Sequence, residues 1–153
     1  GQSDLQVTPL QVAAAYSYIA NGGTLYKPQI VNKIINGSPN DNPQLITQFK
    51  PEIVRQNFID DANLQVVRQG MRDGVAKDYG SSHMLNDIGV SVAGKTGTAE
   101  IGKAGIFNTW SSAFAPYDNP EIVVVSTIEE VQGLRAANLP VTHDILQYYF
   151  SKK

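Results

Sequence analysis

The sequence predicts an α/β chain of the α+β type, in which a three-stranded antiparallel meander is flanked by helices. Three observations carry this. Residues 90–100, 109–115 and 121–129 read as strands on their Val, Ile and Thr residues and the one Trp, and short turn-forming links join them, as in consecutive hairpins. Two earlier stretches and one closing stretch instead repeat apolar residues at helical spacing. The length of 153 residues with 42% hydrophobic residues suits one domain-sized core.

Thr8-Pro9 reads as an N-cap followed by proline in the first turn, with Val12, Tyr16, Ile19 and Ala20 on one stripe. Asn21-Gly22-Gly23 supplies the stop, which gives a helix over 9–21. Segment 24–36 is β-branched and reads as a strand or extended arm, 37–44 as a loop of turn-formers, and 45–59 as a weaker extended region around Pro51. Asp60 and Asp61 are capping candidates for a second helix that places Leu64, Val67, Met71 and Val75 on its inner stripe. Gly70 and Gly74 each cost that helix about 1 kcal/mol against alanine, which implies close packing at both. Residues 78–89 read as a polar connection, 101–108 as the link between the first two meander strands, and Pro116–Pro120 as the link between the last two. Asn138-Leu139-Pro140 opens a third helix whose Val141, Ile145, Tyr148 and Tyr149 face the core.

Composition excludes several classes of function. A charged fraction of 17% and a net charge of −2 leave no basic footprint for nucleic acid. The absence of cysteine excludes disulfides, thiolate metal sites and cysteine nucleophiles. No apolar run approaches the ~18 residues of a membrane span, so no membrane contact is expected of this segment. His83 and His143 are isolated and read as surface or packing residues, and neither a metal nor a cofactor is expected. Asp60-Asp61 and Glu129-Glu130 read as capping and strand-end charges. Gly1 opens the chain in place of methionine, so the sequence is expected to be part of something longer.

The chemically loaded stretch is Gly94-Lys95-Thr96-Gly97-Thr98. Gly89 to Thr96 fits G-x-x-x-x-G-K-[ST], but a phosphate loop needs a buried strand before it and a helix beginning at its lysine. Ser81 to Asp87 is no such strand, and Gly97, Gly102 and Gly105 oppose such a helix. The other reading keeps the lysine on a strand. There Lys95 and Thr96 point to opposite faces, yet both can reach a ligand lying beside a sheet edge. Such an edge suits an extended peptide ending in a carboxylate, with a cation and two hydroxyls at the anionic end. Trp110 would either line that cleft or pack in the sheet.

Lys95-Thr96-Gly97 resembles the K-T-G box of penicillin-binding proteins and class A β-lactamases. Ala93 to Glu100 resembles its form in penicillin-binding transpeptidases. Gly1-Gln2 through Val7-Thr8-Pro9-Leu10-Gln11 and Ala20-Asn21-Gly22-Gly23 is similar to the helix before that box in class B members. Phe114-Ala115-Pro116 with Asp118-Asn119-Pro120 resembles the following hairpin. The resemblance covers essentially the whole chain and implies a partial penicillin-binding transpeptidase fold. It further implies that Lys95 contributes positive charge and that Thr96 and Thr98 bind the carboxylate of a D-alanyl-D-alanine stem peptide or a β-lactam. The backbone N–H of Thr98 would form half of an oxyanion hole, and Gly97 would keep the cleft open. Gly80-Ser81-Ser82 departs from the Gly-Thr-Ala that members often carry.

The family's nucleophile belongs to an S-x-x-K box, and no lysine of this sequence has a serine three residues before it. Ser38-Pro39-Asn40 matches S-x-N formally but follows the Gly-Gln segment that it should precede, and Tyr117-Asp118-Asn119 reads as a turn. The expectation is therefore the C-terminal portion of a single transpeptidase domain, inactive alone and partnered by the domain's N-terminal portion. Its parent would act in peptidoglycan cross-linking at the extracytoplasmic face, anchored by an upstream membrane helix. The alternatives are a non-catalytic peptide-binding or scaffold module, and half of a class D-type β-lactamase or β-lactam sensor.

Overall fold

The computed structural model describes residues 5–37, 42–133 and 135–153. Ser38-Pro39-Asn40 and the Gly1-Gln2 pair lie outside the described residues. The chain runs α1 (Pro9–Ala20), β1 (Thr24–Tyr26), β2 (Lys33–Asn36), β3 (Gln44–Gln48), β4 (Ile53–Gln56), α2 (Asp61–Ala76), a 3-10 helix (His83–Asp87), β5 (Ala93–Glu100), β6 (Ile106–Ala115), β7 (Ile122–Gln132) and α3 (Leu139–Ser151).

The meander is present as an antiparallel sheet in the order β5-β6-β7, with β5 at one edge. Strand alternation divides its residues between two cores. Phe114, Ala93 and Val123 meet Ala20, Tyr16 and Ile19 of α1 on one face. On the other face Ala113, Ala115 and Val124 meet Leu139 and Leu146 of α3 with Leu85 of the 3-10 helix. Helix α2 feeds both cores, Met71 into the first and Val75 into the second.

Local chemistry sets the helix ends. Thr8 and Gln11 form a reciprocal capping box at α1, the Gln11 side chain accepting from Thr8 N at 2.8 Å. Asn21 then accepts from the N–H groups of Gly23 and Thr24, and the chain leaves through Gly22 and Gly23 at φ +80° and +109°. At α2 the Asp60 carboxylate accepts from Ala62 N and Asn63 N.

Several expectations need correction. Segment 24–36 divides into β1 and β2, which pair with β4 and β3 respectively as two small ribbons whose side chains are mostly exposed. The inner stripe of α2 carries Arg68 in the place assigned to Val67, which is exposed. The Arg68 guanidinium donates to the Ile19, Ala20 and Tyr117 carbonyls and lies over the Phe114 and Tyr117 rings. It thereby satisfies carbonyls at the end of α1 that have no partner within the helix. The polar connection 78–89 holds the 3-10 helix and the fully buried Leu85. Gly74 packs closely, but nothing lies near Gly70. β6 begins at Ile106, shortening the link, and β7 extends to Gln132. Helix α3 buries Thr142 and Leu146, one position round from Val141, Ile145 and Tyr148, which are exposed. The Thr142 hydroxyl joins Ser126 and Asn138 in a buried polar group against β7, which draws that face inward.

Candidate active site

Lys95, Thr96, Gly97 and Thr98 all lie on β5, the edge strand, opposite Ser112, Ser111, Trp110 and Thr109 of β6. Lys95 is inside a strand and no helix starts at it, which removes the phosphate-loop reading. Lys95 and Gly97 share the α1 face of the sheet with Trp110 and Ser112, while Thr96 and Thr98 share the opposite face with Ser111 and Thr109. Alternate peptide groups of an edge strand point away from its neighbour, so β5 presents a backbone track to an extended ligand.

The Lys95 side chain is exposed and its Nζ donates to the Thr96 carbonyl at 2.5 Å. Gly97 faces Trp110, whose Cβ would lie 3.3 Å from a Cβ added at position 97. Trp110 is half-buried and packs on the sheet beside Gly97. Next to it, Ser112 is buried and contacts Tyr16 of α1; burial raises the Tyr16 phenol above its ordinary value of 10.0, with the Ser112 hydroxyl opposing that shift.

On the other face the Thr96 hydroxyl donates to Ser81 Oγ at 2.9 Å. Ser81 belongs to the segment joining α2 to the 3-10 helix, and close backbone packing fixes that segment. Ser82 N donates to the Gly74 carbonyl at 3.0 Å, and Gly80 N to the Lys77 carbonyl at 2.8 Å. A Cβ at Gly80 would fall 2.2 Å from the Gly74 oxygen, and one at Gly94 would meet Val75, Ser82 and Leu85 at 3.2–3.4 Å. Sequence spacing did not reveal this contact between position 81 and the K-T-G strand; the small residues at 74, 80 and 94 were the signal for it.

The remaining candidates lie elsewhere. His143 on α3 bridges Asp87 at 3.0 Å and Asp144 at 3.1 Å, so it clasps α3 to the 3-10 helix. The Asp144 hydrogen bond, aided by Asp87, raises its pKa above 6.5 against a smaller opposing effect of burial. An apolar hollow of about 400 Å³ lined by Ala14, Ile19, Leu25 and Phe58 contains none of the K-T-G residues. Among the described residues no helix is long and apolar enough to cross a membrane.

The family model of the penicillin-binding protein transpeptidase domain matches residues 1–147. This chain belongs to that family. It is 30% identical to the peptidoglycan D,D-transpeptidase MrdA of Haemophilus influenzae over 171 residues, covering all of this chain and 25% of that protein. It is 32% identical to penicillin-binding protein 2B of Streptococcus pneumoniae, covering 97% of this chain and 23% of that protein. Among solved structures, penicillin-binding protein 2B of Streptococcus pneumoniae strain R6 superposes with a TM-score of 0.80 at 31% identity, over 95% of this chain and 25% of that one. A D,D-transpeptidase domain from Eggerthella lenta also gives 0.80, at 26% identity, over 96% and 33%. The chain therefore spans about a quarter of the length of the curated transpeptidase relatives it matches.

Proposed function

We propose that this chain forms the substrate-binding wall of a peptidoglycan D,D-transpeptidase, the C-terminal portion of one catalytic domain. The observation that carries the reading is the placement of Lys95-Thr96-Gly97-Thr98 on an edge strand, in a chain that belongs to the transpeptidase family.

In this mechanism a stem peptide ending in D-alanyl-D-alanine lies along β5. The Lys95 ammonium supplies positive charge at the anionic end, and the Thr96 and Thr98 hydroxyls donate to the terminal carboxylate. A serine supplied by a segment outside this chain attacks the penultimate D-alanine carbonyl. The Thr98 N–H donates to the oxygen as negative charge develops there, a contribution that a typical oxyanion donor makes at about 3–4 kcal/mol. The C–N bond then breaks, the terminal D-alanine leaves with the serine proton, and the acyl-serine passes its acyl group to an amine of another stem. Gly97 leaves the strand bare beside Trp110, where a side chain would crowd the ligand. A β-lactam would occupy the same place, its carboxylate standing in for that of the peptide.

The absence of S-x-x-K from the sequence supports placing the nucleophile elsewhere, on the domain's N-terminal portion. The peptidoglycan substrate places the work on the extracytoplasmic face of the bacterial membrane, with the anchoring helix upstream. The test is labelling of the full-length protein with a fluorescent penicillin. Lys95→Ala should lower the labelling rate about tenfold to a hundredfold, the loss expected of one charge-assisted contact. Labelling at the wild-type rate would remove Lys95 from the site.

A further inference from the structure

The segment Gly80-Ser81-Ser82 has no assigned part in the site, yet the fold holds it in place closely. Gly80 has no room for a Cβ against the Gly74 carbonyl, Ser82 N is bonded to that same carbonyl, and a His83 ring nitrogen lies 2.9 Å from the Val75 carbonyl. Ser82 is fully buried under Gly94. Together these contacts leave Ser81 exposed at the sheet edge with its hydroxyl on Thr96.

We propose that Ser81 is a positioning residue for the K-T-G strand, holding the Thr96 hydroxyl at the edge and becoming its donor when a carboxylate binds. The proposal rests on the reading of the site given above. The chemistry follows from counting protons. A threonine hydroxyl has one proton to donate and two lone pairs to accept with. Without a ligand, that proton is given to Ser81 Oγ. When a carboxylate arrives beside β5, the Thr96 proton turns to it, which ends the donation to Ser81 and turns a Thr96 lone pair toward the Ser81 hydroxyl. Ser81 then donates by rotating its own hydroxyl, so the pair becomes a chain running Ser81 to Thr96 to carboxylate. No bond other than hydrogen bonds changes, and each hydroxyl keeps its proton. A chain of this kind strengthens its last link and fixes the Thr96 rotamer before the ligand arrives.

The experiment compares full-length wild type with Ser81→Ala and Ser81→Thr. Acylation by a fluorescent penicillin is resolved into the non-covalent dissociation constant and the acylation rate constant, and the methyl ester of the same penicillin serves as the ligand lacking a free carboxylate. Ser81→Ala should raise the dissociation constant for the acid about three- to tenfold and leave the rate constant within about twofold. The ester should bind both proteins alike, and Ser81→Thr should restore wild-type binding. A change below twofold overturns the proposal, as does an equal loss with the ester or a loss that threonine does not restore. A wild type that is not labelled at all overturns the site reading and this proposal together. A labelled wild type matched by Ser81→Ala overturns this proposal alone.

Discussion

Replacing Gly80 by alanine tests how firmly the segment between α2 and the 3-10 helix is seated. The new Cβ would stand 2.2 Å from the Gly74 oxygen, 2.6 Å from the Gly74 carbon and 3.0 Å from the Lys77 oxygen, whereas ordinary contact begins at 3.4 Å. All three atoms are backbone, so no side chain can swing aside, and the segment must retreat by roughly 1 Å, enough to lose a hydrogen bond. Retreat breaks the Gly80–Lys77 and Ser82–Gly74 backbone hydrogen bonds, each contributing about 0.5–1.5 kcal/mol. It also loosens Leu85, which is fully buried, and overpacking of this kind adds about 1–3 kcal/mol. Gly80→Ala should therefore destabilise the fold by about 2–6 kcal/mol, read from urea denaturation of this chain by circular dichroism. Gly70→Ala is the internal control. Position 70 lies inside α2, is exposed and has nothing within 4 Å, so alanine there should stabilise by about 1 kcal/mol. A Gly80→Ala cost below about 1 kcal/mol, or a Gly70→Ala variant less stable than wild type, would refute the packing argument.

Three further outcomes are expected. Arg68→Met should cost about 3–5 kcal/mol in the same denaturation assay, because the Ile19, Ala20 and Tyr117 carbonyls lose their donor inside the core; a cost below 1 kcal/mol would contradict this. The His143 clasp should stabilise the fold fully below about pH 6.5 and fade as the pH rises through the raised folded value, because the folded state holds the proton more tightly. Melting temperatures from pH 5.5 to 8.5 should fall on the alkaline side, and His143→Gln should flatten that slope. Asp60→Ala should remove the cap of α2 at a cost of about 1 kcal/mol, and an unchanged denaturation midpoint would count against the cap.

What could be read from the sequence follows the range over which each signal acts. Helix α1 and its stop are local, set by Thr8-Pro9 and by the glycines after Asn21, and they lie where the sequence places them. The meander was equally legible because β-branched runs and turn residues alternate over short distances. Arg68 was not, because a guanidinium on the inner stripe of α2 makes sense only once the end of α1 and the Tyr117 carbonyl are beside it, both about 49 residues away. The face of α3 was misjudged for the same reason. Val141, Ile145 and Tyr148 form an apolar stripe, but the Thr142 hydroxyl finds Ser126 on β7, and buried polar groups settle where their partners are. The K-T-G residues were legible as a motif, and the structure adds the edge position of their strand and the Ser81 contact. The Gly80-Ser81-Ser82 departure stood out in the sequence, but its contact with Thr96 did not, because the glycines at 74, 80 and 94 that draw it against β5 lie on three separate segments.

The central claim is that this chain supplies one wall of a site whose nucleophile comes from another segment, and penicillin labelling with and without that segment tests it most directly. This chain alone, incubated with a fluorescent penicillin and then denatured, should carry no covalent label. Mixed with a polypeptide bearing the S-x-x-K and S-x-N boxes of the same protein, the pair should give a denaturation-resistant adduct on that polypeptide's serine, and Lys95→Ala in this chain should weaken it. A stoichiometric adduct on this chain alone would contradict the account.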